Sequence, residues 1–315
     1  MIIEYQIYNF ILKAEEKIEL PPYKGSTFRG GFGTAFKKVV CGFKGKDCSS
    51  CIINAECAYA YIFETLRPEN TAFFPESKYE SIPHPFIIEP PLTSRKVFEP
   101  GEELCFSIIL IGRAIKYLPF FVMSFEYLSE IGIGKGRSKY KLSKILSNNQ
   151  TIYENEKRKL TLGQKNKIII PESNLPDSNK KEEIKIRFLT PIRIKHQRKL
   201  VSKIEFFILI TNLLRRIALL NFYHNNGQKP AWNHREIINK AKQVILKQNN
   251  TKWIDWERYS HRQKAHMNLG GVLGEVKYRG ELEFFKPFLK AGEIFHVGKG
   301  TSFGLGKYII KEDDS

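Results

Sequence analysis

At 315 residues the chain can hold one large domain or two ordinary ones, and its 42% hydrophobic and 13% aromatic content excludes general disorder. A formal net charge of +18 speaks for a polyanionic partner, of which nucleic acid is the common cellular one. Five cysteines, four of them within seventeen residues, speak for a metal site in a reducing compartment rather than for disulfides.

The first residues, 1–12, alternate and are rich in Ile, Tyr and Phe, which predicts a strand and, with no basic leader, no signal peptide. Pro21-Pro22 breaks the chain. After it, Ser26 or Thr27 can cap a helix whose apolar positions Phe28, Phe32, Ala35, Phe36 and Val39 follow helical spacing. Its glycines permit close packing against a neighbouring backbone, and Arg29, Lys37 and Lys38 lie on the other face. Cys41, Cys48, Cys51 and Cys57 come next, spaced C-x6-C-x2-C-x5-C. Four thiolates at such spacing fit a tetrahedral structural zinc, with an iron–sulfur cluster as the alternative of the same ligand type. Cys105, in an apolar strand, reads as plain core.

Residues 61–66, 86–89 and 104–111 read as strands between prolines, and 114–127 as an amphipathic helix with Ile115, Leu118, Phe121, Val122 and Phe125 inward. A basic glycine loop follows at 132–142, carrying Lys135 and Arg137. Residues 148–181 are polar and charged, which predicts a linker or irregular β excursion. The second half offers a strand at 184–194 broken by Pro191, a helix at 206–222, a polar helix at 231–248 and a strand region opening at Trp253. A glycine-bulged strand at 270–278 and a short helix at 284–289 lead to a second glycine loop and a last strand. The 206–223 stretch is interrupted by Thr211, Asn212, Arg215 and Arg216, so it is not expected to span a membrane, and a cytoplasmic protein is expected.

Apart from the extra polar helix, the second half runs β-α-β-β-α-β, the order of an α+β, ferredoxin-like (RRM-like) domain, and both halves are expected to be such domains. The predicted organisation is residues 1–147 as one such domain with the cysteine-rich metal-binding insertion at 41–57, residues 148–181 between, and residues 182–315 as the second. One glycine-loop device used twice supports two related halves.

The second loop carries the chemistry expected at an anion. Gly298, Gly300, Gly304 and Gly306 bring backbone close, while Lys299, Thr301 and Ser302 add charge and donors. It is not a nucleotide-binding P-loop, because a strand follows it instead of a helix. His296 abuts it and has the pKa range for proton transfer, the alternative being a histidine packed between a strand end and the last helix. His261 lies among Arg258, Tyr259, Ser260 and Arg262, which could line an RNA-facing strand; Tyr259 and Trp256 could stack bases or fill core. His84, between prolines, reads as a turn residue, and His196 as part of a phosphate-tracking patch. His224, His234 and His266 read as helix-end or surface residues. Ser26, Arg29 and Lys37 are candidates to stabilise a transition state beside His296.

Three segments resemble the CRISPR-associated precursor-RNA-processing endoribonucleases of the RAMP superfamily: the terminal 296–308 loop, the 256–274 segment ending in Gly270-Gly271-Val272-Leu273-Gly274, and the 25–31 glycine-rich segment followed by the cysteines. The resemblance implies two tandem ferredoxin-like domains, binding of CRISPR repeat RNA, and metal-independent attack of a 2′-hydroxyl on the adjacent phosphate, giving a 2′,3′-cyclic phosphate and a 5′-hydroxyl. Other CRISPR effector subunits are implied as partners, and no membrane. Many members place a histidine in or just after the first helix; none stands between Met1 and Pro83 here. A non-catalytic RNA-binding effector subunit is the second reading, and a zinc-containing DNA-binding protein, lacking a recognition helix, the third.

Overall fold

The computed structural model describes residues 1–43, 47–68, 71–74, 81–172, 180–255, 257–260 and 265–311, with backbone alone for 257–260 and 265–268. The chain divides into two units, residues 3–167 with 219–227, and residues 1–2 with 168–218 and 228–315.

The first unit is built on β1 (Ile2–Ala14), whose alternation buries Tyr8, Phe10 and Leu12 on one face. A short β2 (Ile18–Glu19) leads to α1 (Gly25–Val40). Next come β3 (Phe86–Glu89), β4 (Val97–Phe98, paired with β2), β5 (Glu103–Ile111), α2 (Leu118–Ile131) and β6 (Tyr140–Ser147). The antiparallel order β3-β5-β1-β6 is that of a ferredoxin-like sheet, and α1 and α2 supply its helical layer. Phe32 of α1 stacks on Phe121 of α2 at 4.6 Å and meets Phe86 of β3 edge-on at 5.5 Å. Its side chain is fully buried, so truncation to alanine would cost about 3–5 kcal/mol.

Of the linker and the β excursion expected at 148–181, residues 148–169 take the second: β7 (Gln150–Glu154) and β8 (Lys159–Leu160) extend the sheet beyond β6, and β9 (Asn166–Ile169) pairs with β1. Sheet pairing outweighs the polar composition that suggested irregular chain. Residues 60–64 form one π-helical turn rather than a strand, which lets the adjacent Ile62 and Phe63 both bury. Cys105 corrects another expectation: it lies on the outward face of β5 and is exposed.

In the second unit β10 (Glu182–Ile192) is followed by the β11 (Lys195–His196) and β12 (Lys199–Leu200) hairpin, α3 (Phe206–His224, of which 219–224 count with the first unit) and α4 (His234–Gln243). Then come β13 (Ile245–Ile254), the pair β14 (Glu257–Ser260) and β15 (Ala265–Asn268), β16 (Gly271–Gly280), α5 (Lys286–Phe295) and β17 (Tyr308–Lys311). The order β13-β16-β10-β17 repeats the ferredoxin-like pattern. The polar helix expected to reach 248 stops at Gln243, because Ile245 already pairs with Arg279 in the edge strand β13. Phe206, Tyr278 and Phe285 meet edge-on at 5.1 Å in the core. α3 is long and apolar enough to cross a membrane, but 72% of its most apolar window is buried in protein, as in a core helix.

Candidate active site and nucleic-acid interface

The first glycine loop links α2 to β6, and the second links α5 to β17. In the first, Gly132 has φ +82° and a side chain there would collide with the Arg137 carbonyl; the tight turn leaves Lys135 and Arg137 exposed. A pair of cations at a turn tip suits phosphate contact.

The second loop is shaped by a defect in β10. Pro191 has no N–H, and the register of β10 against β16 shifts between Phe188 and Ile192. The glycine loop seats on that bulge. Gly306 N–H donates to the Pro191 carbonyl (3.1 Å), Lys299 N–H to the Arg193 carbonyl (2.8 Å), and Thr190 Oγ1 donates to the Gly304 carbonyl (2.9 Å). Phe303 and Gly304 amides bond back within the loop. Many of the amides expected to cradle phosphate are therefore committed to protein acceptors, and Thr301, Ser302, Gly304 and Gly306 are buried. The loop is a fixed scaffold, and the side chain it exposes is that of Lys299, between half-buried Gly298 and Gly300.

Lys299 has cationic company. Burial first, then Lys195 and Arg193 beside it, hold its ammonium below the ordinary lysine range. Arg193 donates to the Gly270 carbonyl at 2.8 Å, and Lys195, Arg198 and Lys199 stand exposed on the β11–β12 hairpin. Cations that repel one another are relieved by an anion, so this face suits an RNA backbone.

His296 is not at the surface. Its side chain has no exposed area, and its Nδ1–H donates to the Leu305 carbonyl at 3.0 Å. Its backbone, at φ 58° and ψ 173°, lies in a region that costs a non-glycine residue about 1–3 kcal/mol. Neighbouring bonds hold it there: buried Arg216 donates from Nε to the Phe295 carbonyl (2.7 Å), and Val297 N–H to the Gly306 carbonyl (3.1 Å). Burial pushes the Arg216 guanidinium down to about 9. The expectation that His296 transfers protons at the loop is corrected: it is packed, and it fixes the loop's entry.

Two further candidates are corrected in the first unit. Ser26 Oγ is buried without a hydrogen-bond partner, so it cannot meet a phosphate. Lys37 extends over the Tyr59 ring at 5.4 Å, on the cysteine side of α1. Arg29 does belong to a polar cluster. Its guanidinium lies 4.3 Å from the Phe63 ring centroid and its Nη2 is 3.3 Å from His84 Nε2. Gly33 makes the close packing possible, since a Cβ there would sit 2.2 Å from the Phe63 ring. A guanidinium can only donate, so Nε2 accepts and Nδ1 carries the imidazole proton, donated to Thr65 Oγ1, which donates to the Ile62 carbonyl (3.3 Å). Behind this, buried His224 accepts from the Tyr61 hydroxyl at Nδ1 (3.3 Å) and donates from Nε2 to the Pro83 carbonyl (2.8 Å). His224 thus anchors the Pro83-His84-Pro85 segment. Sequence reading missed this cluster because Arg29 and His84 are 55 positions apart, with no shared periodicity.

Trp256, His261 and Arg262 lie outside the described residues, as do the side chains of Arg258, Tyr259 and His266. Cys41, Cys48, Cys51 and Cys57 line one small cavity, yet among the described residues no three His, Cys, Asp or Glu side chains stand in metal-holding geometry. A groove of about 820 Å³ between α2 and the β6–β8 edge is walled by Glu126 and Glu130 as well as Lys141 and Arg158. It offers no single sign of charge to a polyanion.

Comparison with known proteins agrees with the topology. Residues 3–165 match the AF_1859_N N-terminal domain family, and residues 186–308 match the CRISPR-associated endoribonuclease Cas6 family. An uncharacterized Archaeoglobus fulgidus protein is 27% identical over 300 residues, covering 93% of each chain. Among solved structures, a Thermus thermophilus Cas6 has 14% identity and a TM-score of 0.52, with 98% of this chain and 99% of that one aligned. A Cas6 product complex has 15% identity and a TM-score of 0.57, covering 98% of this chain and 100% of the other. A partial Cas6-RT-Cas1–Cas2 complex has 13% identity and a TM-score of 0.60, covering 99% of this chain and 47% of that one. By its N-terminal half the chain belongs to the AF_1859_N family, and its residues 186–308 are similar to the CRISPR-associated endoribonuclease Cas6 family.

Proposed function

We propose that the protein is an endoribonuclease that binds CRISPR repeat RNA and cuts the precursor transcript without a metal in the reaction. The observation that carries the reading is the His84–Arg29 pair, an imidazole with its Nε2 lone pair directed at a permanent cation. A scissile phosphate arriving there takes the Arg29 N–H, and Nε2 is then released to accept the proton of the neighbouring 2′-hydroxyl. The 2′-oxygen forms its bond to phosphorus as the bond to the 5′-oxygen breaks. Solvent protonates the leaving oxygen, and the imidazolium returns its proton to solvent. Arg29 opposes the charge that builds on the phosphoryl oxygens. Thr65 holds the tautomer, and His224 holds the segment. The Lys299, Lys195 and Arg193 face binds backbone elsewhere on the RNA, and CRISPR effector subunits are the protein partners expected.

A non-catalytic RNA-binding subunit is the second reading, favoured by the burial of His296 and the lack of a histidine on α1. Incubating the protein with its repeat RNA in excess chelator and mapping the product ends separates the two. Products ending in a 2′,3′-cyclic phosphate and a 5′-hydroxyl support the enzyme; binding with no cleavage of any cognate repeat supports the subunit.

A further inference from the structure

The segment between α1 and the π-helical turn poses a folding problem. From Cys41 to Glu56 none of the described residues is buried, and Phe43, Ile52 and Ile53 are exposed. The thirteen described residues, with no core of their own, gain little from burial to offset their ordering entropy. Yet the chain there is folded back on itself. Asp47 accepts from the Ser49 N–H (3.2 Å), Cys51 N–H donates to the Cys48 carbonyl (3.4 Å), and Asn54 N–H donates to the Cys51 carbonyl (3.0 Å). This is one turn over Cys48-Ser49-Ser50-Cys51, followed by a return to Cys57.

All four thiols from these turns line a single cavity of about 10 Å³, close to the space of one water-sized sphere. Cys48 and Cys57 pack against the core of the first unit, so two of the four are held by the fold. Cys41 ends α1, whose backbone fixes a third; its thiol donates to the Phe43 carbonyl at 3.3 Å. Cys51 lies one turn from Cys48. The lining contains Tyr59, Ile53 and Ala60 and no carboxylate or imidazole. Such a soft, closed, all-sulfur set suits zinc, and it leaves no position open to a substrate.

We propose that Cys41, Cys48, Cys51 and Cys57 bind one structural zinc ion that pins this segment to the end of α1. Among the described residues no three of these side chains already stand in metal-holding geometry. Binding releases their four protons and draws the sulfurs to about 2.3 Å from the ion, with Cys41 giving up its bond to Phe43. The ion plays no part in RNA cleavage, and the inference stands apart from the proposed activity.

The test uses the full chain, with metal measured by elemental analysis and thiols by titration after denaturation. One zinc per chain is expected, together with visible d–d and thiolate charge-transfer bands of a tetrahedral site when cobalt(II) replaces it. Cys51→Ser and Cys57→Ser should each lose the metal and lower the melting temperature, and Cys105→Ser should leave both unchanged. Iron with acid-labile sulfide would overturn the zinc assignment. A metal-free chain with a disulfide among the four, or with free thiols and no cobalt spectrum, would overturn the site.

Discussion

Gly306→Ala tests whether the terminal loop is a rigid scaffold. Gly306 has φ +77°, and a Cβ there would lie 1.9 Å from the Val297 carbonyl oxygen. The left-handed conformation alone costs alanine about 1–2 kcal/mol. The overlap with backbone cannot be relieved by turning a side chain. It requires breaking the pairing of Val297 N–H with the Gly306 carbonyl and of Gly306 N–H with the Pro191 carbonyl, both 3.1 Å. At about 1 kcal/mol for each lost bond, the total is about 3–4 kcal/mol. All three tryptophans, Trp232, Trp253 and Trp256, lie in the C-terminal half, so tryptophan fluorescence during urea unfolding reports on the unit that holds the loop. Gly163→Ala, where nothing lies within 4 Å, is the control. Should Gly306→Ala unfold at the same urea concentration as the control, the loop is not the tightly bonded element described here.

Further outcomes follow from the same geometry. Lys299→Ala and Lys195→Ala should each weaken repeat-RNA binding and reduce the salt dependence of affinity by about one phosphate contact, with stability unchanged; an unaltered slope in filter binding would remove this face from the interface. Ser26→Ala removes a buried, unpartnered hydroxyl and should leave cleavage unaltered while holding or raising the melting temperature; a loss of cleavage rate would restore Ser26 as a functional group. Hydrogen bonds from Lys247 and then Lys277 hold the Glu183 carboxyl down at about 2. A depressed carboxylate stabilises the fold above its unfolded value, about 4.3, and loses that contribution as pH falls through about 2. The stability gap between the protein and Glu183→Gln, read by urea unfolding, should therefore shrink across that acid window; a constant gap would contradict the ion-pair account.

Much of the fold was legible because the signals were periodic. Phe28, Phe32 and Phe36 gave α1 by their helical spacing, and the 206–222 stretch gave α3 by its long apolar run, which the structure buries on nearly every side. The repeated glycine loops pointed to two related halves, because a loop from the second helix of the ferredoxin-like pattern to its fourth strand recurs in each. Periodicity carries no signal for a solvated edge strand, so the first residues of β13 were read as the end of a helix and the strand region was opened only at Trp253. The composition of 148–169 was equally uninformative, because β7 to β9 are held by partners far along the chain. At the site, His296 was placed by its neighbours in sequence, and these say nothing of the packing that seals it. His84 was read as a turn residue; Arg29 and His224, which give it a role, are remote in sequence. Glycine-rich composition suggested open amides, whereas the bulge at Pro191 takes up several of them.

His84 and Arg29 are the residues proposed to cut RNA. The most direct measurement is single-turnover cleavage of the cognate repeat in chelator by the protein and by His84→Ala, with RNA affinity measured in parallel. The account predicts a rate lowered by about 10²–10⁴ with affinity retained. Equal rates from the two proteins would contradict it.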